Sequence, residues 1–222
     1  MSGKIVWDAI GERFYETGTK NGVLYPMVNN AYPKGVAWNG LTAVTASPEG
    51  AEATDLYADD IKYLTLRGAE NFKATIEAYT YPDEFAECDG SAVVAPGVKS
   101  GQQPRKAFGF SWVTTKGNDT DLDSHGYIIH LVWGASAAPS EKAYQTINDS
   151  PEAITFSWEI DTIPVEVTGH KATAYMQIDS TLADPDKLEA LKDILYGKNA
   201  SQGSEATDAR LPLPNEIISL MT

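Results

Sequence analysis

Apolar and polar residues alternate along much of this chain. In residues 107–115, Phe108, Phe110, Trp112 and Thr114 fall on one face and smaller side chains on the other. Successive strand side chains point to opposite sides, so this pattern predicts a β-strand. Tyr127, Ile129, Leu131 and Trp133 repeat it, but Ile128 and Val132 make the second face apolar as well. A strand apolar on both sides is expected at the centre of a sheet, covered above and below. The polar, turn-forming residues 117–126 lie between the two segments and predict a hairpin.

Two further segments are amphipathic. In residues 153–163, Ile154, Phe156, Trp158 and Ile160 oppose Thr155, Ser157, Glu159 and Asp161. In residues 72–80, Phe72, Ala74, Ile76 and Ala78 oppose Lys73, Thr75, Glu77 and Tyr79. More strands are expected over 36–45, 51–57 and 171–179. Many short strands punctuated by Gly and Pro indicate a mainly β protein, a sandwich or barrel.

Helices are few. Asp184 is placed as an N-cap with Pro185 in the first turn, and Leu188, Leu191, Ile194 and Leu195 form one stripe that Gly197 ends. A single helical turn is expected over 83–88. Residues 1–198 are therefore assigned to the β domain, and 199–222 to a polar linker and a C-terminal arm. The arm is apolar again from Leu211 to Met221, which predicts a short helix. Such a segment docks either on its own domain or on another copy.

Composition narrows the function. The chain has 222 residues, no apolar run long enough to cross a bilayer and one cysteine, Cys88. A soluble chain, intracellular at synthesis, is expected. Asp and Glu number 31 against 17 Lys and Arg, a formal charge of −14. Phosphate affinity comes from Lys and Arg, so nucleic-acid binding and an anionic membrane are disfavoured.

Chemistry is sparse. His125, His130 and His170 lack zinc spacing, and His130 is expected as a satisfied strand residue. Asp119-x-Asp121-x-Asp123 opens like a calcium loop, but Ser124 and His130 stand where Gly and Glu are required, so a solvated hairpin tip is expected. No nucleophile elbow or phosphate loop is present. Acid is clustered instead. Residues 47–60 carry Glu49, Glu52, Asp55, Asp59 and Asp60 with no base, and Asp83, Glu84, Glu87 and Asp89 follow. Asp149, Glu152, Glu159 and Asp161 form a third group. Acids repeated along strands can line a common surface.

Several blocks in order resemble the major tail tube proteins of long-tailed phages infecting Gram-positive bacteria. They include Ile5-Val6-Trp7-Asp8, Gly11-Glu12-Arg13-Phe14-Tyr15-Glu16-Thr17-Gly18 and Gly22-Val23-Leu24-Tyr25. Tyr32-Pro33-Lys34-Gly35-Val36-Ala37-Trp38-Asn39-Gly40-Leu41-Thr42 and Ser47-Pro48-Glu49-Gly50-Ala51-Glu52-Ala53-Thr54 continue the resemblance. So do Glu77-Ala78-Tyr79-Thr80-Tyr81-Pro82-Asp83-Glu84-Phe85, the stretch from Asn148 to Glu159, and Ala209-Arg210-Leu211-Pro212-Leu213-Pro214.

The resemblance implies a tail-tube β-sandwich with one or two short helices, completing a β-barrel lumen on closure of a hexameric ring. Stacked rings enclose a tape-measure protein and conduct genomic DNA without specific binding. Tail terminator and distal tail proteins are expected at the ends, in a virion assembled in the host cytoplasm, with no catalysis, cofactor, metal or membrane. By chain order, two hairpins, residues 36–57 and roughly 136–160, are placed on the lumen. The lumen-wall candidates are Glu49, Glu52, Asp55, Glu141, Glu152 and Glu159. The candidate contacts between rings are Asp59, Asp60, Tyr63, Leu211, Leu213, Ile217 and Ile218. A carbohydrate- or receptor-binding sandwich with exposed aromatic residues is the competing expectation.

Overall fold

A computed structural model describes residues 3–50, 52–147, 152–200 and 205–222. The strands are β1 (Tyr15–Pro26), β2 (Val36–Trp38), β3 (Leu41–Ala46), β4 (Glu49–Gly50), β5 (Ala53–Ala58), β6 (Ile61–Arg67) and β7 (Glu70–Asn71). They continue with β8 (Lys73–Ala78), β9 (Ala92–Ala95), β10 (Val98–Ser100), β11 (Phe108–Asn118), β12 (Leu122–Ala137), β13 (Phe156–Thr162) and β14 (Tyr175–Asp179). Helix α1 is Pro185–Tyr196 and α2 is Pro214–Met221, and a 3₁₀ turn spans Asp83–Glu87. The protein is mainly β, as the alternation predicts.

The main sheet is antiparallel in the order β2-β1-β11-β12-β13-β8-β3, with β14 also paired to β12. Two strands can share one side of β12 because β12 bends. Ile128–Val132 pairs with β14, and Ala135–Ala137 pairs with β13. Gly134 sits between, at φ 61°, and a Cβ there would lie 2.3 Å from the Ile163 carbonyl oxygen. Only glycine fits this combination of left-handed backbone and close approach.

The end strands β2 and β3 are successive in the chain, joined by Asn39 and Gly40, so the sheet curls until its ends are neighbours. The curl encloses the first core: Leu24, Trp38, Ile76, Phe85, Phe108, Phe110, Val132, Trp158 and Ile160. Trp38 meets Phe110 and Trp158 edge-on at 5.4 and 5.5 Å, and its indole N–H donates to the Thr80 carbonyl at 2.9 Å. The other face of β1, β11 and β12 presents Tyr25, Val113, Ile129, Leu131 and Trp133 to Leu188, Leu191 and Leu195 of α1. Both apolar faces of β12 are thus covered. Asp184 caps α1 by accepting from the N–H groups of Asp186 and Lys187.

The C-terminal segment completes this second core. Trp133 donates its indole N–H to the Pro212 carbonyl at 2.9 Å, and Leu211 and Ile217 are each only 3 % exposed. Of the two docking alternatives for the arm, the chain's own domain is the one observed. A bridge between Lys198 and Thr207 brings the linker ends together, although linker residues 201–204 lie outside the described residues.

Several elements differ in detail from expectation. The single strand over 36–45 is two strands around Asn39-Gly40. The strand over 51–57 is one leg of a ribbon whose other leg is β6. The turn between β11 and β12 is shorter than ten residues, because its flanks pair as far as Asn118 and Leu122. The strands over 153–163 and 171–179 begin later, at Phe156 and Tyr175.

Candidate functional site

The outer face of β13, β8 and β3 lies opposite the aromatic core. Alternation fixes its content: Trp158, Ile160, Ala74, Ile76 and Ala78 turn inward, which sends Ser157, Glu159, Asp161, Lys73, Thr75 and Glu77 outward. Register aligns them in rows, with Ser157 opposite Glu77, Glu159 opposite Thr75 and Asp161 opposite Lys73. On β3, Ala43 stands opposite Glu77 and Thr45 opposite Thr75. No large apolar side chain occupies these positions.

Among the described residues Lys73 is the one base on this face, and Glu49 grips its ammonium at 2.7 Å. That hydrogen bond raises the Lys73 pKa, against partial desolvation, and the charges of Asp161 and Glu159 add to the rise. Counting Glu49, Glu77, Glu159 and Asp161 against Lys73 leaves a formal −3 on one sheet face. The carboxylates of β8 and β13 ride on paired strands, so their spacing is set by backbone rather than by mobile loops.

Of the lumen-wall candidates, Glu49 and Glu159 meet at this face. Asp55 lies on the β5–β6 ribbon, where Lys62 at 2.7 Å and the Thr65 hydroxyl bind its carboxyl and hold its pKa down. Glu52 is exposed just before that ribbon, Glu141 is exposed beyond β12, and Glu152 is exposed beside residues 148–151, which lie outside the described residues. Glu77 and Asp161 belong to the face and were absent from the candidate set. Their period-two position opposite a buried residue was the signal.

The ribbon is the second feature. β5 and β6 pair with each other only, around the turn residues Asp59 and Asp60 at φ 52° and 60°. Two left-handed residues match the twist of a tight hairpin. Every ribbon residue is exposed, including Leu56, Tyr57, Ile61, Tyr63, Leu64 and Leu66. Leu56 pairs with Leu64 across the strands, so apolar surface is presented without a covering element among the described residues. Asp59, Asp60 and Tyr63 are therefore available for contact. Leu213 is exposed and Ile218 half-buried, whereas Leu211 and Ile217 are committed to the chain's own core, which withdraws them from the free surface.

Two polar clusters are internal. His130 stacks on Trp112 at 4.7 Å, with Nε2 2.8 Å from the Thr114 hydroxyl and Nδ1 2.8 Å from the Tyr175 hydroxyl. Burial lowers its pKa, while Glu16 at 3.4 Å pulls the other way. Asp89 is buried and ion-paired to Lys142 and Arg105, and Arg105 also donates to the Ala137 and Ala138 carbonyls. This ties the segment after β12 to the 3₁₀ turn. The three aspartates of the hairpin tip each bind a different protein group. Asp119 accepts from the Gly11 N–H, Asp121 from the Asn118 side chain and Asp123 from the Tyr15 hydroxyl.

No family model matches the sequence, and no curated protein matches it. Among solved structures, the chain is similar to a chain of the anti-feeding prophage baseplate, at 11 % identity and TM-score 0.37, over 80 % of this chain and all of that one. It is similar also to a chain of the sheath–tube complex of an extracellular contractile injection system in its extended state, at 11 % identity and TM-score 0.34, over 78 % of this chain and 94 % of that one. Likeness this distant assigns no role.

What the surface can do follows from its chemistry. The acidic face repels polyanions, and the apolar ribbon seeks burial in something outside the chain. Four of the five tryptophans, Trp38, Trp112, Trp133 and Trp158, are at most 5 % exposed, so they offer no stacking platform for a sugar.

Proposed function

We propose that this chain is a structural, non-catalytic subunit of a phage-type tail tube. It closes into hexameric rings whose stacked lumen encloses a tape-measure protein and later passes genomic DNA. The acidic, apolar-free face of β13-β8-β3 carries the reading. A wall that conducts DNA must not bind it, and Lys or Arg at close range would do so by releasing condensed counterions. Carboxylates fixed on strands keep phosphates away over about 8 Å, the screening length at physiological salt.

Repulsion between copies must be offset elsewhere, and the β5–β6 ribbon supplies apolar area for stacking ring on ring. A tail terminator and a distal tail protein would meet the same stacking surfaces at the two ends of the tube.

Negative-stain microscopy of concentrated protein, with and without an initiator complex, tests the proposal. Hollow tubes or rings are expected. Dispersed single chains under every condition would remove the tube from consideration. In a phage carrying Glu77→Lys with Glu159→Lys, both on a solvated face, tails should assemble normally and genome ejection should slow. Ejection at the parental rate would take these residues off the wall.

A further inference from the structure

The N-terminal segment before β1 is built to be presented. Asp8 at φ 54° and Gly11 at φ 87° turn the backbone, and Arg13 donates two hydrogen bonds to the Asp8 carbonyl at 2.8 and 3.0 Å. The Gly11 N–H donates to Asp119, and Asn118 donates back to the Gly11 carbonyl. This clamp fixes the base of the arm to the tip of the β11–β12 hairpin. Beyond the clamp, Ile5, Val6 and Trp7 are 68, 72 and 74 % exposed. A polar clamp that holds three apolar side chains in water gains nothing for the lone chain, so their burial lies outside it.

A receptor of matching chemistry exists on the same protein. A cavity of about 510 Å³ opens between β1, β2 and the end of α1, lined among others by Lys20, Val23, Ala37, Trp38, Leu41 and Tyr196. Its volume accommodates an indole and a neighbouring aliphatic side chain. Lys20 bonds the Thr115 hydroxyl but forms no ion pair among the described residues, in a chain where most bases are paired. The arm brings a charge of the opposite sign: the Asp8 carboxylate, next in sequence to Trp7, for Lys20.

The arm cannot serve its own cavity from the clamped position. Its base is held at the β11–β12 tip, where Tyr15 pairs with Gly117, whereas Lys20 pairs with Val113 further along β1. We propose that the N-terminal arm of one copy inserts Trp7 into the cavity between β1, β2 and α1 of a second copy. The contact is head-to-tail, using two different patches, so it propagates from copy to copy. It needs a second copy but not a tube.

A peptide of residues 3–10 titrated onto the full-length chain carrying Trp7→Ala tests this directly. The four remaining tryptophans are buried, so indole accessible to acrylamide belongs to the peptide. Saturable protection of that indole is expected, weakened at least about tenfold when Ala37→Phe fills the cavity mouth and similarly by Lys20→Glu at its rim. Ala37 and Lys20 are surface positions, and circular dichroism confirms that each variant folds. A peptide indole quenched equally at all chain concentrations overturns the proposal, as does equal binding of a scrambled peptide or indifference to both substitutions. Peptide binding by a chain that never forms tubes would refute the tube and leave this contact standing.

Discussion

Replacing Gly134 with alanine probes the bend on which the acidic face depends. Gly134 lets β12 leave β14 and take up β13, which in turn carries β8 and β3. Two costs follow from the structure. An L-residue at φ 61° costs about 1–2 kcal/mol in the left-handed region. A Cβ 2.3 Å from the Ile163 carbonyl oxygen must also push backbone, because Ile163 donates its own N–H to the Gly134 carbonyl at 3.0 Å and is held there. Overpacking of this kind costs about 1–3 kcal/mol, giving about 2–5 kcal/mol in all. Gly97, at the tip of the β9–β10 hairpin, is the control: φ is 77° and a Cβ would meet nothing within 4 Å, leaving only the first cost. With a urea slope of about 3 kcal/mol/M, the midpoint should fall by about 0.7–1.7 M for Gly134→Ala and about 0.3–0.7 M for Gly97→Ala. Equal shifts would mean that the close approach at Ile163 does not constrain the fold, and the account of the bend would fail.

His130 predicts a pH dependence. Burial depresses its folded pKa below the ordinary 6.5, so the stability it permits is fully present above that value and is lost as pH falls through 6.5 toward the folded pKa. The groups facing it are Glu16 from β1, Trp112 and Thr114 from β11, and Tyr175 from β14. The unfolding free energy from urea titrations should drop between pH 7.5 and 5.5 by at most about 1.4 kcal/mol per pH unit, and His130→Gln should flatten that part of the profile. Cys88 is buried and its thiol pKa is pushed up to about 12, first by burial and then by Glu87. A thiol reagent should label it only on unfolding, and rapid labelling of native protein would contradict the packing. Ile217→Ala should cost about 2–5 kcal/mol by chemical denaturation if α2 belongs to the second core, and almost nothing if the arm is free.

The central strands were legible because they obey the rule that periodicity encodes: a residue facing a core is apolar. Phe108, Phe110 and Trp112, and Ile129, Leu131 and Trp133, reach the two cores that their alternation assigns. The ribbon escaped because that rule assumes burial. Leu56, Leu64 and Leu66 stay exposed and belong to neither core, and Asp59-Asp60 lacks the glycine that usually marks a tight hairpin. Asn39-Gly40 interrupts what the alternation on either side of it suggested to be one continuous strand. The acidic face was half legible. Runs of acid drew attention to residues 47–60 and 149–161, whereas Glu77 stands outside any run and joins Glu159 and Asp161 only through the register of β8 and β13. Composition marked the tail as apolar but could not choose its partner, because Trp133 and Pro212 meet only once the sheet has curled.

The proposed assembly sets two surfaces different tasks. The β13-β8-β3 face carries fixed acid and no large apolar side chain, while the ribbon and the clamped arm each present a cluster of exposed apolar ones. Were these mixed, every approach of a second copy would set attraction against repulsion at the same spot. Kept apart, like charges can face a shared axis at screened distances while apolar parts meet elsewhere at contact range. Screening alters the first term and leaves the second nearly untouched. Raising salt should therefore promote association through the ribbon and arm, and an assembly that dissolved with salt would place ion pairs, not apolar contact, at the joints.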